Sequence, residues 1–229
     1  MVADTASRDF SFSISEDIRI QSRNPSRRGG TELQCAGMTA RTHDAIAFTS
    51  LVTVAAYYPP VNLTLLTVFV SLVGNVIGAL LPDIDQAANR LWDLLPSGNE
   101  VGKILRNLFL HHRTVTHSLL GVFLTYKLFL WLLPLLLNSA TIDMTVVTWS
   151  IIIGYVSHLA ADSFTKEGLP LLFPLQWKIG IPPLKALRIT TGEWIENYLV
   201  LPGVGVYLVW FVWTYQIMVM GLVRVIHLQ

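Results

Sequence analysis

Long stretches of this chain carry no ionisable side chain at all. From Ala45 to Pro82 there is no Asp, Glu, Lys, Arg or His, and the apolar run is interrupted only at Tyr57-Tyr58-Pro59-Pro60. Paired prolines end a helix, and aromatic rings suit a membrane interface. The stretch therefore predicts two spans, about 42–58 and 61–81. A third is predicted over about 115–137 and a fourth over about 142–161, joined by the short polar link Asn138-Ser139-Ala140-Thr141. A fifth covers Leu199 to Val223, again without a charge. Each approaches the ~20 residues that cross a bilayer core, the first being the shortest. The expected fold is all-α, a polytopic membrane helical bundle of about five spans with two long polar loops, 82–114 and 162–198.

Composition agrees with this pattern. Of 229 residues, 52% are hydrophobic and 14% charged, with a mean hydropathy of +0.52. An ordinary soluble domain carries about 25% charge, which argues against a soluble enzyme of average composition. The net charge of +1 exerts no general pull toward nucleic acid, and no direct nucleic-acid binding is expected. Residues 1–37 differ from the rest: Arg8, Arg19, Arg23, Arg27 and Arg28 lie among Ser, Asp and Gln with no sustained apolar period. They read as a mobile N-terminal tail, with 38–229 as the membrane-embedded domain.

The positive residues orient the bundle. With five spans, the tail and both long loops share one face, and that face holds 14 of the 16 Lys and Arg residues. The positive-inside rule puts it in the cytoplasm and predicts an inner-membrane, multi-pass protein.

Five of the six histidines, and the carboxylates most out of place in so apolar a chain, fall at the same ends of the first four spans. His43 and Asp44 begin span one; Asp83 and Asp85 end span two; His111, His112, Arg113 and His117 lead into span three; His158 and Asp162 finish span four. Successive spans reverse direction, so start, end, start and end lie at one depth on one side. His158 and Asp162 are four apart and share a helix face. A single cysteine, Cys35, excludes a thiolate cluster, so any metal must be held by His and carboxylate. Taken singly, these groups suit helix caps or headgroup anchors. Together they point to a divalent metal, most plausibly zinc, with His43, Asp83, Asp85, His112, His117, His158 and Asp162 as candidate ligands. Asp85 is the candidate general base, and Arg113 the candidate for holding a phosphate bidentately.

Four stretches carry a family resemblance: Met38-Thr39-Ala40-Arg41-Thr42-His43, Leu80-Leu81-Pro82-Asp83-Ile84-Asp85, His112-Arg113-Thr114-Val115-Thr116-His117-Ser118, and Gly154 through Asp162. In order and spacing the chain from Met38 onward resembles the YdjM family of membrane-bound, metal-dependent hydrolases. That family is in turn distantly similar to zinc-dependent phospholipase C and the P1-type nucleases. The resemblance implies a helical membrane protein whose His and Asp side chains hold a divalent metal and hydrolyse a phosphoester or other ester. It also reads residues 1–37 as an upstream start-site extension, because family members begin near a Met-Thr-Ala segment.

The expected partners are membrane lipid and a small-molecule or lipid-like substrate. Leu171, Leu172, Phe173, Trp177 and Ile179 make loop 162–198 apolar enough to lie at the headgroups beside the site. The rival reading is a non-catalytic, metal-stabilised membrane scaffold that recruits a cytoplasmic partner. A metal transporter fits less well, since only Lys127 lies at mid-membrane depth.

Overall fold

The computed structural model describes residues 40–61, 63–84, 115–175, 177–188 and 194–227. Its elements are α1 (Ala40–Tyr57), a two-residue strand β1 (Leu63–Thr64), α2 (Leu65–Leu80), α3 (Leu119–Leu136), α4 (Met144–Ser163), α5 (Leu201–Thr214), α6 (Gln216–Val225) and a two-residue strand β2 (Ile226–His227). A 3₁₀ turn, Leu81–Asp83, extends α2, and a π turn, Glu196–Val200, leads into α5. Among the described residues, four helical segments are long and apolar enough to cross a membrane: Leu65–Asp83, Leu119–Leu136, Met144–Ser163 and Glu196–Thr214. The first predicted span is also a helix, α1, with Arg41, His43 and Asp44 near its N-terminus.

Helix starts follow local chemistry. Thr64 caps α2 by accepting from the Thr67 amide, Ser118 caps α3 by accepting from Gly121, and Asp143 caps α4 by accepting from Thr145 and Val146. Each side-chain oxygen satisfies an amide that the first turn leaves without a carbonyl. The α1 helix stops just before Pro59-Pro60.

The last span departs from expectation in two ways. Helix begins before Leu199, and it is interrupted at Tyr215, whose φ of −108° and ψ of 31° leave the helical region. Pro202 accounts for the first difference in form. It lacks an amide proton and its ring crowds the carbonyl four residues back, so the turn ahead of it widens to a π turn.

The α2–α4 contact is the most extensive in the bundle. Lipid offers no hydrophobic drive between helices, so close approach through small residues does the work. A Cβ added at Gly78 would overlap the Ile151 carbonyl oxygen, and one at Gly154 would overlap the Asn75 carbonyl oxygen. Asn75 itself donates through Nδ2 to the Ser150 carbonyl at 3.0 Å, so this buried amide also bridges the two helices. By contrast α3 is peripheral, with Phe123, Leu128, Trp131 and Leu135 exposed as a lipid-facing helix requires.

Two features fix the ends. β1 and β2 pair in parallel, Leu63 with Ile226 and Thr64 with His227, so the C-terminal segment lies at the same end as the start of α2. This is the end that an odd number of spans demands. At the opposite end, the described residues of 164–175 and 177–188 form an irregular loop folded under α4. Leu169 and Ile179 exchange 2.8 Å hydrogen bonds, Ile181 donates to the Ser163 carbonyl, and the Leu119 amide donates to Leu171. Leu171 packs inward with Tyr155, Leu159 and Leu169, whereas Leu172, Trp177 and Ile179 are exposed.

Candidate metal centre

The close α2–α4 packing decides where the site forms. One turn beyond Gly154, His158 lies against the C-terminal end of α2, and its Nδ1 donates to the Ala79 carbonyl at 2.7 Å. A carbonyl can only accept, so Nδ1 carries the proton and Nε2 presents its lone pair. That nitrogen is buried and lacks a hydrogen-bond partner among the described residues. Asp162, one turn further along α4, is 1% exposed, and Asp83 arrives from the 3₁₀ turn after α2.

His117 comes from the residues just ahead of α3. Its segment is held by the Ser118 hydroxyl, which donates to Val115 at 2.7 Å, and by the Tyr155 hydroxyl of α4, which donates to the Thr116 carbonyl. His43, in the first turn of α1, completes the group with its ring stacked on that of His158 at a centroid separation of 4.0 Å.

The donor atoms are evenly spaced. His117 Nε2 lies 3.3 Å from Asp83 Oδ1 and 3.6 Å from Asp162 Oδ2. His158 Nε2 lies 3.7 Å from Asp83 Oδ2 and 3.7 Å from Asp162 Oδ2. On its other side, Asp162 Oδ1 is 3.5 Å from His43 Nε2. Ligands about 2.0–2.2 Å from a tetrahedral ion stand roughly 3.3–3.6 Å from each other. Two overlapping triads satisfy metal-site geometry, His43 with His158 and Asp162, and Asp83 with His117 and His158. Because His158 Nδ1 is occupied by Ala79, its Nε2 can serve one ion at a time, so the triads are two sides of one centre. Asp162, with one oxygen toward each side, is positioned to join them.

Burial and charge act against each other here. Desolvation pulls the His117 imidazole down, but the adjacent Asp162 and Asp83 carboxylates outweigh it and hold its pKa above the ordinary value. Without a metal, a proton on His117 thus compensates the two acids. A divalent cation compensates them more fully, since each unpaired buried charge costs several kcal/mol.

Five of the sequence-predicted ligands, His43, Asp83, His117, His158 and Asp162, therefore meet, although they are spread over 120 residues of chain. Asp85, His112 and Arg113, along with the N-terminal tail, lie outside the described residues. The sequence reading overlooked Glu196. It is 0% exposed and near enough to His43 for its charge to act on that ring. The signal was present: Glu196 stands just before the fifth apolar run, at the end where the other four spans supplied their acids and histidines. Ala79 and Tyr155 were also overlooked, because neither a backbone carbonyl nor a mid-helix tyrosine announces a role in the sequence.

Comparison with known proteins agrees with this organisation. The family model described as YdjM inner membrane protein matches residues 38–227. The chain is 31% identical over 166 residues to the uncharacterized protein YvsG of Bacillus subtilis, covering 72% of this chain and 89% of that one. It is 30% identical over 138 residues to inner membrane protein YdjM of Escherichia coli and of Shigella flexneri, covering 60% of this chain and 63% of theirs. No solved structure matches.

Proposed function

The chain belongs to the YdjM inner membrane protein family, and we propose that this inner-membrane protein is a metal-dependent hydrolase whose His/Asp centre faces the cytoplasm. The observation that carries the reading is the pair of overlapping triads, His43 with His158 and Asp162, and Asp83 with His117 and His158, in which His158 is oriented from behind by Ala79. Metal-ligating histidines characteristically donate their second nitrogen to a carbonyl or carboxylate. The mixed nitrogen and oxygen donors suit zinc.

When bound, a divalent ion supplies Lewis acidity that polarises an ester or phosphoryl oxygen and activates water. The protein's own residues do the rest. His158 and Asp162 hold position through helix geometry, His117 through the Tyr155 and Ser118 hydrogen bonds, and Asp83 through the 3₁₀ turn. Asp83 is 21% exposed where the other ligand candidates among the described residues are almost wholly buried, which gives the centre an edge that substrate can approach. A purely structural metal site closes its shell, whereas a catalytic one keeps a position open. That edge favours an enzyme over the scaffold reading.

The orientation rests on Lys166, Lys178, Lys185 and Arg188, all on the loop at the metal end of the bundle. The exposed Leu172, Trp177 and Leu184 of that loop suit the headgroup layer, so a phosphoester or other ester on a lipid-like molecule is the substrate class proposed.

The test is metal analysis of protein purified in detergent, followed by a panel of phosphoester and carboxylic-ester lipids with and without chelator. Expected is a stoichiometric divalent metal, and a hydrolysis that chelation stops and Asp162→Asn abolishes. Metal retained without hydrolysis of any panel member would favour the scaffold; absence of bound metal after supplementation would overturn both readings.

A further inference from the structure

Between α1 and the last span lies a groove of about 560 Å³. One wall runs from Ile46 to Val54 and the other from Leu199 to Tyr207. At 1.5 Å per residue, each wall is about 12 Å long. Both walls start one helical turn from residues at the metal end of the bundle. His43 is one turn before Ile46, and the buried Glu196, whose charge acts on His43, is one turn before Leu199. Toward its far end Thr53 Oγ1 and the Tyr207 hydroxyl approach across the groove to 3.4 Å.

We propose that this groove holds the hydrocarbon chain of a single-chain amphiphile, with its anionic, hydrolysable headgroup at the metal centre; the inference rests on the hydrolase reading and names its substrate class. Three observations carry it. The groove begins one helical turn from His43 and one turn from Glu196, so a chain seated there has its head beside the candidate ligands. One of its walls belongs to Glu196–Thr214, a segment apolar enough to cross the membrane, so the groove lies at a depth where acyl chains of the bilayer can reach it. Its lining carries no charge: the hydroxyl groups of Thr49, Ser50, Thr53 and Tyr207 stand among apolar residues, and Thr53 satisfies its hydroxyl by donating to the Thr49 carbonyl at 2.8 Å.

Moving a chain from bilayer into such a groove gains no hydrophobic energy, because both surroundings are apolar. Its effect is positional. A substrate whose tail is held in register presents its ester to the centre in a restricted set of orientations, and that restriction is a principal source of catalytic advantage.

Gly203 makes the idea testable, because it lines the groove and a Cβ there would meet nothing within 4 Å. Gly203→Leu therefore adds bulk to the groove wall from a position where its Cβ meets no neighbour. Gly205→Leu, equally unobstructed but outside this groove, is the control. The full-length protein in nanodiscs is labelled with a diazirine-bearing single-chain alkyl phosphate, and the labelled peptides are mapped. Expected is labelling of 46–54 and 199–207 that an unlabelled alkyl phosphate displaces and inorganic phosphate does not, that Gly203→Leu loses, and that Gly205→Leu retains. Labelling that survives Gly203→Leu, or is equally strong on the outward face of α3 at Phe123 and Trp131, overturns the proposal. So does displacement by inorganic phosphate alone, or a dimer that Gly203→Leu dissociates, which would assign the groove to a second copy. Since labelling needs no turnover, specific labelling of a protein that hydrolyses nothing supports the groove while overturning the hydrolase reading.

Discussion

His158 and Ala79 are 79 residues apart in sequence and joined by a 2.7 Å hydrogen bond from the imidazole Nδ1 to the carbonyl oxygen. The bond fixes the tautomer and turns Nε2 toward Asp83 and Asp162. It forms only because α2 and α4 touch backbone to backbone at Gly78 and Gly154. The orientation of a ligand thus depends on the absence of side chains elsewhere.

That dependence yields a prediction for Gly154→Ala and Gly78→Ala. Each adds a methyl group where a backbone carbonyl already stands, so the helices must separate. Overpacking of this kind costs about 1–3 kcal/mol. Thermal unfolding in detergent should show both variants destabilised and partly depleted of metal, whereas Gly203→Ala, with open space at its Cβ, should match the wild type.

His158→Ala and Asp162→Asn remove donors directly. Their metal affinity, measured by competition with a chromophoric chelator, should fall by more than the ~10–100-fold expected of a supporting residue. An unchanged affinity in both variants would leave helix capping as the explanation of the cluster.

Tyr155→Phe acts at one remove. It deletes the hydroxyl that donates to Thr116 and so loosens the segment bearing His117. A stability loss of about 1 kcal/mol is expected. Metal affinity should weaken by less than in His158→Ala, which the same chelator titration resolves.

Metal uptake should release protons. The carboxylates hold the His117 pKa above its ordinary value, so in the metal-free protein the protonated form is favoured up to and beyond about pH 6.5. Its contribution to apo stability is complete at low pH and fades as pH rises through the raised value. Metal binds the deprotonated ring, so apparent affinity should climb with pH through that window and level off above it. Calorimetry in buffers of different ionisation enthalpy measures the protons released; a count of zero near neutral pH would contradict the arrangement.

Topology can be read with reporter fusions. A fusion at Ser139, between α3 and α4, should report the outer side, and one after Gly180, in the loop at the metal end, should report the cytoplasm. A fusion following β2 should agree with Ser139, because β2 pairs with β1 at that end.

Much of this was legible in the sequence because a membrane simplifies folding. Backbone groups in lipid must be satisfied within helices, so uncharged runs near 20 residues announce spans, and alternating direction sorts their ends by side. That logic alone brought His43, Asp83, His117, His158 and Asp162 to one end of the bundle, and i to i+4 spacing paired two of them. It reached depth and side only. Tertiary packing decided the distances, the tautomer of His158 and the facing of Asp162 toward both sides of the centre, since these depend on how closely two helices approach and how each is rotated. The break at Tyr215, the burial of Glu196 and the groove beside α1 belong to the same class. Hydropathy measures what a segment prefers as solvent, and it is blind to rotation about the helix axis, which only the neighbouring helices determine.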